Sequence, residues 1–266
     1  MKLTVSIFLF IILLCACEER FEMELPFTNT NLIAVEAVLT NENKSQEIRL
    51  SFPYQQINGN PQPVSGAIVS VQEGNGTTYT FQEETNNQGT YKSTPFQAVT
   101  GVTYKLKIDI GGREIVAQDQ SVPVEPLMPL QYQKVGDNYE LFMNESGDKA
   151  NYIDHHLTWE NTPYCTPETL CQGRMVFYDL KNIDVNEIYK PGKTQFLFPA
   201  GTTITRKKYS VSTAYRTFLR SILSETEWRG GVFDVDRANA STNLSEGASG
   251  FFAVTTVVSD VTVINP

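Results

Sequence analysis

The chain has 266 residues, of which 21 are lysine or arginine and 30 are aspartate or glutamate, for a net charge of −9. An acidic protein of this kind has no electrostatic footprint for nucleic acid, and anionic lipid repels it. Imidazole chemistry could rest only on His155 and His156, the two histidines present.

The first element is an apolar run from Val5 to Leu14 behind Lys2, ending Leu14-Cys15-Ala16-Cys17. One positive charge, a short apolar run and a small residue before the cut predict an export signal over 1–16. The run is too short to span a bilayer and is followed by acidic sequence. Its end resembles the lipobox of bacterial lipoproteins, in which the cysteine after the small residue is acylated and becomes the new N-terminus. Cys17 fits this position, whereas Cys15 follows the bulky Leu14. A plain secretory signal with two incidental cysteines is the alternative. Cleavage removes one lysine and no acid, leaving a net charge of −10. Membrane attachment must therefore come from acyl chains, whose burial is worth about 0.8 kcal/mol per methylene. Glu18-Glu19 just behind the anchor resembles the surface-targeting signal of Bacteroidota outer-membrane lipoproteins. Residues 17–31, with Pro26 and no sustained periodicity, are expected to form a lipidated tether.

From residue 32 to about Pro126 the pattern is strand after strand. Ile33, Val35, Ala37 and Leu39 alternate along the first. Val102, Tyr104, Leu106, Ile108 and Ile110 alternate with Thr103, Lys105, Lys107 and Asp109, which predicts a half-buried antiparallel strand. Gly111-Gly112 turns it into Arg113–Gln118, and Asn75-Gly76 is expected to turn Ala67–Gln72 into Thr77–Phe81. Gly89 and Gly101 mark further turns. Six or seven short strands without a helical segment predict an immunoglobulin-like β-sandwich over 32–126.

The proline-rich stretch Val122–Pro129 reads as an extended, stiff linker. A second, β-rich domain is expected over 127–266, with strands at Tyr139–Met143, Tyr152–Trp159, Gly173–Tyr178, Thr194–Phe198 and Thr203–Val211. One amphipathic α-helix, near 212–227, interrupts them. Ala214, Tyr215, Phe218, Leu219, Ile222 and Leu223 form its apolar stripe, Ser212 its N-cap and Gly230-Gly231 its stop. A last long strand, rich in β-branched residues, runs from Phe251 to Ile264.

Catalytic patterns are missing. The chain has no nucleophile elbow, zinc-protease helix, phosphate loop or dinucleotide fingerprint, and no cofactor is expected. Asp234 and Asp236 alternate in strand fashion, but the spacing of a calcium loop is absent. Cys165 and Cys171 flank a five-residue, proline-containing segment and predict a disulfide in an exported protein. A metal site joining them to His155 and His156 is disfavoured by the wide cysteine spacing. Adjacent histidines on a strand also point to opposite faces. Free thiols are the other alternative. The sequence thus indicates a binding or structural protein with no catalytic or metal-ligating residues. Its candidate binding residues are loop aromatics: Tyr54, Tyr164 beside the cysteine pair, and Trp228 behind the helix.

The order of motifs resembles domain-of-unknown-function family 4249 of Bacteroidota lipoproteins. It rests on Leu25-Pro26, the strand Leu32–Thr40, Val64–Val71, Gly89-Thr90-Tyr91 and Gly101–Leu106 in the first half. In the second half it rests on Ser212–Tyr215, Gly231–Asp234, Asn243 and Gly250–Ala253. Asp236-Arg237 stands where the family usually has a proline, and the middle of the chain matches loosely. The resemblance implies an outer-membrane lipoprotein encoded beside a TonB-dependent receptor, serving that barrel as a lid or substrate-capturing partner. It transfers no catalytic residue. A stand-alone surface adhesin or carbohydrate-binding protein is the alternative.

Overall fold

The computed structural model describes residues 32–54, 59–142, 147–160, 171–181, 188, 197–229 and 240–265. Residues 1–31 with Cys17, and also Tyr164, Cys165, Gly230-Gly231, Asp234 and Asp236, lie outside the described residues. The protein is mainly β. The first half contributes β1 (Ile33–Thr40), β2 (Lys44–Ser51), β3 (Ile68–Glu73), β4 (Thr78–Glu84), β5 (Asn87–Phe96), β6 (Thr103–Ile110) and β7 (Arg113–Gln120). The second contributes β8 (Gln131–Val135), β9 (Asn138–Phe142), β10 (Asn151–Trp159), β11 (Cys171–Asp179), β12 (Phe198–Pro199) and β13 (Thr203–Ser210). These are followed by the helix α1 (Thr213–Glu225), β14 (Ala248–Thr255) and β15 (Val257–Val263).

Seven strands from the first half and β14 make one sheet, in the order β14-β1-β2-β5-β4-β3-β6-β7. It curls into a sandwich-like form around a single core containing Leu39, Ile48, Tyr91, Tyr104, Ile108 and Phe252. The alternation read in the sequence places Tyr104, Leu106 and Ile108 inward on β6. The turn between β3 and β4 is shifted by one residue: Gly74, not Asn75-Gly76, takes the left-handed conformation, at φ +53°. Gln46 occupies an inward position on β2 and is fully buried at a bulge. Its amide accepts from Thr40 N–H at 3.0 Å and faces the carbonyls of Thr40, Glu42 and Phe96 at 3.0–3.1 Å. Carbonyls that the bulge removes from the ladder thereby gain a donor.

The chain's last apolar run is two strands, not one. β14 pairs in parallel with β1, and β15 pairs antiparallel with β13 in a second sheet ordered β11-β10-β13-β15. The step between the sheets falls at Thr256, where side chains take over from the ladder. Thr256 N–H donates to Ser210 Oγ at 2.8 Å and Val257 N–H to Asn41 Oδ1 at 2.7 Å, while the Thr100 and Thr256 hydroxyls lie 2.9 Å apart. From Phe251 to Val254 β14 is apolar without interruption because both its faces are covered there. Phe252 and Val254 enter the curled sheet, and Phe251 and Ala253 pack under α1.

The sheet's two edges, β7 and β14, meet across a seam closed mostly by side chains. Asn243 donates to Gln118 O at 2.9 Å and Phe252 O at 2.8 Å and accepts from Phe252 N–H at 3.1 Å. Asp119, also buried, accepts from Val254 N–H at 2.9 Å. An asparagine amide has one acceptor and one donor group, which lets it stand in for a missing strand residue.

The proline-rich stretch forms no strand. Prolines lack the ladder donor, and two cations of β13 hold the stretch by its carbonyls instead. Arg206 donates to Met128 O at 2.9 Å while paired through both guanidinium arms with Asp260. The ammonium of fully buried Lys208 reaches Pro126 O at 3.4 Å. The two sheets are further joined by Glu42, 2.6 Å from Lys207 and 2.7 Å from Lys44. Burial pushes the Glu42 carboxyl up, but the hydrogen bonds and charges of the two lysines outweigh it and bring its pKa down to about 2.

Candidate functional site

Helix α1 starts where its sequence indicates. Ser212 lies in extended conformation at the N-cap and accepts from Tyr215 N–H at 3.1 Å. The helix ends at Glu225, before the glycines expected to stop it, with Thr226 and Trp228 N–H both directed at Leu223 O. Its apolar stripe is wider than the face it buries. Tyr215, Leu219 and Leu223 are buried, Phe218 is half-buried, and Ile222 is exposed. Phe218 and Tyr215 each stack on Phe251 of β14 with ring centroids 5.1 Å apart, which fixes the helix over the parallel pair β1–β14.

The unburied part of the stripe forms one wall of a groove of about 910 Å³. The floor is the outward face of β1 and its neighbours, where Ala34, Glu36 and Val38 alternate with the core residues. Tyr54, Pro61 and Pro63 form the other wall. Tyr54 is 55% exposed. Glu36 and Arg49 are register partners on β1 and β2 and lie 3.8 Å apart, both exposed. Arg49 also reaches Glu47 at 2.7 Å, and Lys92 continues the row to Glu84 at 2.8 Å. Exposed pairs of this type contribute about 0–1 kcal/mol each, so the row gives the floor polarity of both signs but little stability. Burial pushes the Tyr215 hydroxyl far above its ordinary pKa, leaving a neutral phenol at the helix end of the groove.

Of the sequence-predicted aromatics, Tyr54 lines this groove. Trp228 does not: it is 3% exposed and packed with Leu180, Leu219, Leu223 and Phe251 beneath the helix. The chain folds back under α1 immediately after the last turn, so a position behind the helix is an interior one. The sequence does not separate Ile222 from the buried part of the stripe, because a helical stripe marks an apolar face without saying what covers it. Arg49 and Glu36 carried no sequence signal beyond ordinary strand alternation.

The histidines sit on opposite faces of β10, as adjacent strand residues must. His155 is 3% exposed, and His156 is exposed with Nε2 3.2 Å from Asp154. Asp154 is also held by both arms of Arg174 at 2.9 Å. Burial acts to raise the Asp154 carboxyl, and the Arg174 and His156 contacts reverse this to a net lowering. Cys171 opens β11 opposite Trp159. Among the described residues no group of three or more histidine, cysteine or carboxylate side chains is arranged to hold a metal ion. No helix among them is long and apolar enough to cross a membrane.

Residues 18–260 match the family described as Domain of unknown function (DUF4249). A comparison with curated proteins gives no match.

Proposed function

From the chain's membership of the DUF4249 family, we propose that the protein is a surface-exposed outer-membrane lipoprotein, anchored through Cys17. In this reading it serves a TonB-dependent transporter as a non-catalytic, ligand-capturing partner. The observation that carries the reading is the groove, in which Tyr54, Phe218 and Ile222 leave apolar surface open over the outward face of the sheet. Unburied aromatic and aliphatic side chains on a scaffold of this kind support binding. A lipid anchor would confine the protein to the plane of its barrel and raise the effective concentration of a weak interface.

The test is extraction in mild detergent and affinity purification of the tagged full chain. A TonB-dependent barrel is expected in near-equal amount with the wild type and is expected to be lost with Cys17→Ser, which should leave the membrane fraction. Recovery of the lipoprotein alone would sink the transporter reading and favour the solitary adhesin.

We further propose that Cys165 is the partner of Cys171. A bridge closing so short a loop contributes roughly 2 kcal/mol on the chain-entropy model. Alkylation before reduction is expected to leave both cysteines unlabelled by mass spectrometry. Labelling of either one at full stoichiometry contradicts the bridge.

A further inference from the structure

We infer that β15 is an interface strand, along which two copies of the chain join their four-stranded sheets in antiparallel register. The inference is independent of the barrel. β15 ends the order β11-β10-β13-β15, and among the described residues neither a strand nor an isolated bridge pairs with its free side. The two ends of the strand fix which backbone groups face that side. Thr256 O accepts from Ser210 N–H at 2.9 Å, and Ile264 N–H donates to Thr202 O at 2.9 Å, so even-numbered residues turn toward β13. Val257, Ser259, Val261 and Val263 therefore turn their N–H and C=O groups away from it. Val257 already has a substitute for a strand. The Asn41 amide accepts from its N–H at 2.7 Å and donates to its carbonyl at 3.3 Å. Ser259, Val261 and Val263 have no such partner among the described residues, and their side chains are exposed. A row of donors and acceptors at strand spacing is matched group for group by another strand.

Outer strands are ordinarily guarded by cover, cationic side chains, proline or bulges. β7 is covered by the 243–245 segment, where Ser245 N–H donates to Val116 O at 2.9 Å. β8 and β11 carry Lys134 and Arg174. β15 has no lysine, arginine or proline, and its register with β13 is continuous. Its one charge, Asp260, is matched by both arms of Arg206. The sequence of the strand also selects its own copy as the occupant. Only a twofold axis through Val261 pairs Ser259, Val261 and Val263 all at once, each outward-turned residue against another. Val261 then meets itself, Ser259 faces Val263 of the second copy, and Asp260 lies opposite the hydroxyl of Thr262. No like charges meet. An axis through Asp260 would set two carboxylates against each other and would require Val257, which Asn41 already holds.

The full-length lipoprotein, extracted in mild detergent with micelles in excess over protein, is followed by sedimentation velocity over a range of concentrations. The wild type is expected to pass from monomer to dimer as concentration rises. Val261→Lys is expected to weaken association about tenfold, because it removes the valine pair and sets like charges opposite one another. Its melting temperature under monomeric conditions should match that of the wild type, since Val261 is 63% exposed. Cross-linking reads the register separately. In Val261→Cys the new thiols sit on α-carbons about 5.5 Å apart across the axis, and a short thiol-specific cross-linker should join them. In Ser259→Cys they are separated by about four residues of strand rise, roughly 13 Å, and should not be joined. The wild type sets the background from the native cysteines. A wild type that stays monomeric overturns the inference, as does a dimer that Val261→Lys leaves intact. Equal cross-linking of the two cysteine variants overturns the register and with it the choice of a second copy on this strand.

Discussion

Gly250→Ala is expected to abolish most of the protein's stability. Gly250 pairs with Val35 in the parallel ladder, at φ +93°, and a β-carbon built on it would lie 2.1 Å from the Val35 carbonyl oxygen. The obstacle is ladder backbone, not the end of a flexible side chain, so relief requires β1 and β14 to separate. The strained φ alone costs about 1–3 kcal/mol. Adding the overlap brings the loss to at least about 4 kcal/mol, much of a typical folding free energy of about 5–15 kcal/mol. Gly111→Ala is the control. Gly111 also has a positive φ, +59°, but open space around its missing β-carbon, and should lose only about 1–2 kcal/mol. Urea denaturation of the two variants separates sterics from strain. A Gly250→Ala protein as stable as the Gly111→Ala protein would show that the β1–β14 junction yields easily.

The second large effect is acid sensitivity centred on His155. Its ring is buried on the inner face of β10, its Nδ1 has no hydrogen-bond partner, and Arg206 is its register neighbour on β13. Burial first, and then the guanidinium charge, lower its pKa from 6.5 to about 4. Asp154 acts in the opposite sense, as do the backbone groups of Met175 and Ile153, without reversing the shift. Between those two values the unfolded chain holds a proton that the folded chain refuses. Stability therefore falls as pH drops from 6.5 to 4, by about 3 kcal/mol over the window. Glu42 adds a separate loss lower down. Its folded pKa of about 2 lies below the ordinary 4.5, so its contribution is complete above 4.5 and disappears as pH falls toward 2. The raised pKa of Asp119, caused by burial, works against both, because protonation relieves a buried charge. Urea midpoints of wild type and His155→Gln across pH 7 to 3 test this. The variant should lose the slope between 6.5 and 4 and keep the one below 4.5. Identical slopes in the upper window would remove His155 as the cause.

Local patterns were legible where one face of an element is wet and the other dry. The alternation over Val102–Ile110 became β6, and the stripe with Ser212 at its head became α1, which ends two residues before the expected 227. Gln46 interrupts the alternation of β2 at an inward position, since the pattern counts apolar residues and cannot see a buried amide serving a bulge. β8 is exposed along its whole length and has no periodicity to detect. The split of the last strand at Thr256 is equally silent, because the hydroxyls and amides that satisfy the step come from Thr100, Ser210 and Asn41, remote in sequence. In the groove, Tyr54 was identifiable as an aromatic in a loop. The other wall was not legible, because periodicity reports which residues face inward from a helix, and α1 has an inward side that is only partly roofed.

The parallel pairing of β1 with β14 also governs the order in which the protein can be assembled. Ile33 finds its partner at Ala248, 215 positions further along the chain. A ribosome therefore releases seven strands of the curled sheet long before the eighth exists. Until it arrives, the nascent chain carries two bare edges, β1 and β7, each able to pair with another copy of itself. Closure is a late, long-range event, the slowest kind of contact for a chain to find. A C-terminal truncation that removes β14 would thus strip more than a terminal segment. It would hold the molecule permanently in the state through which every normal copy must pass unprotected.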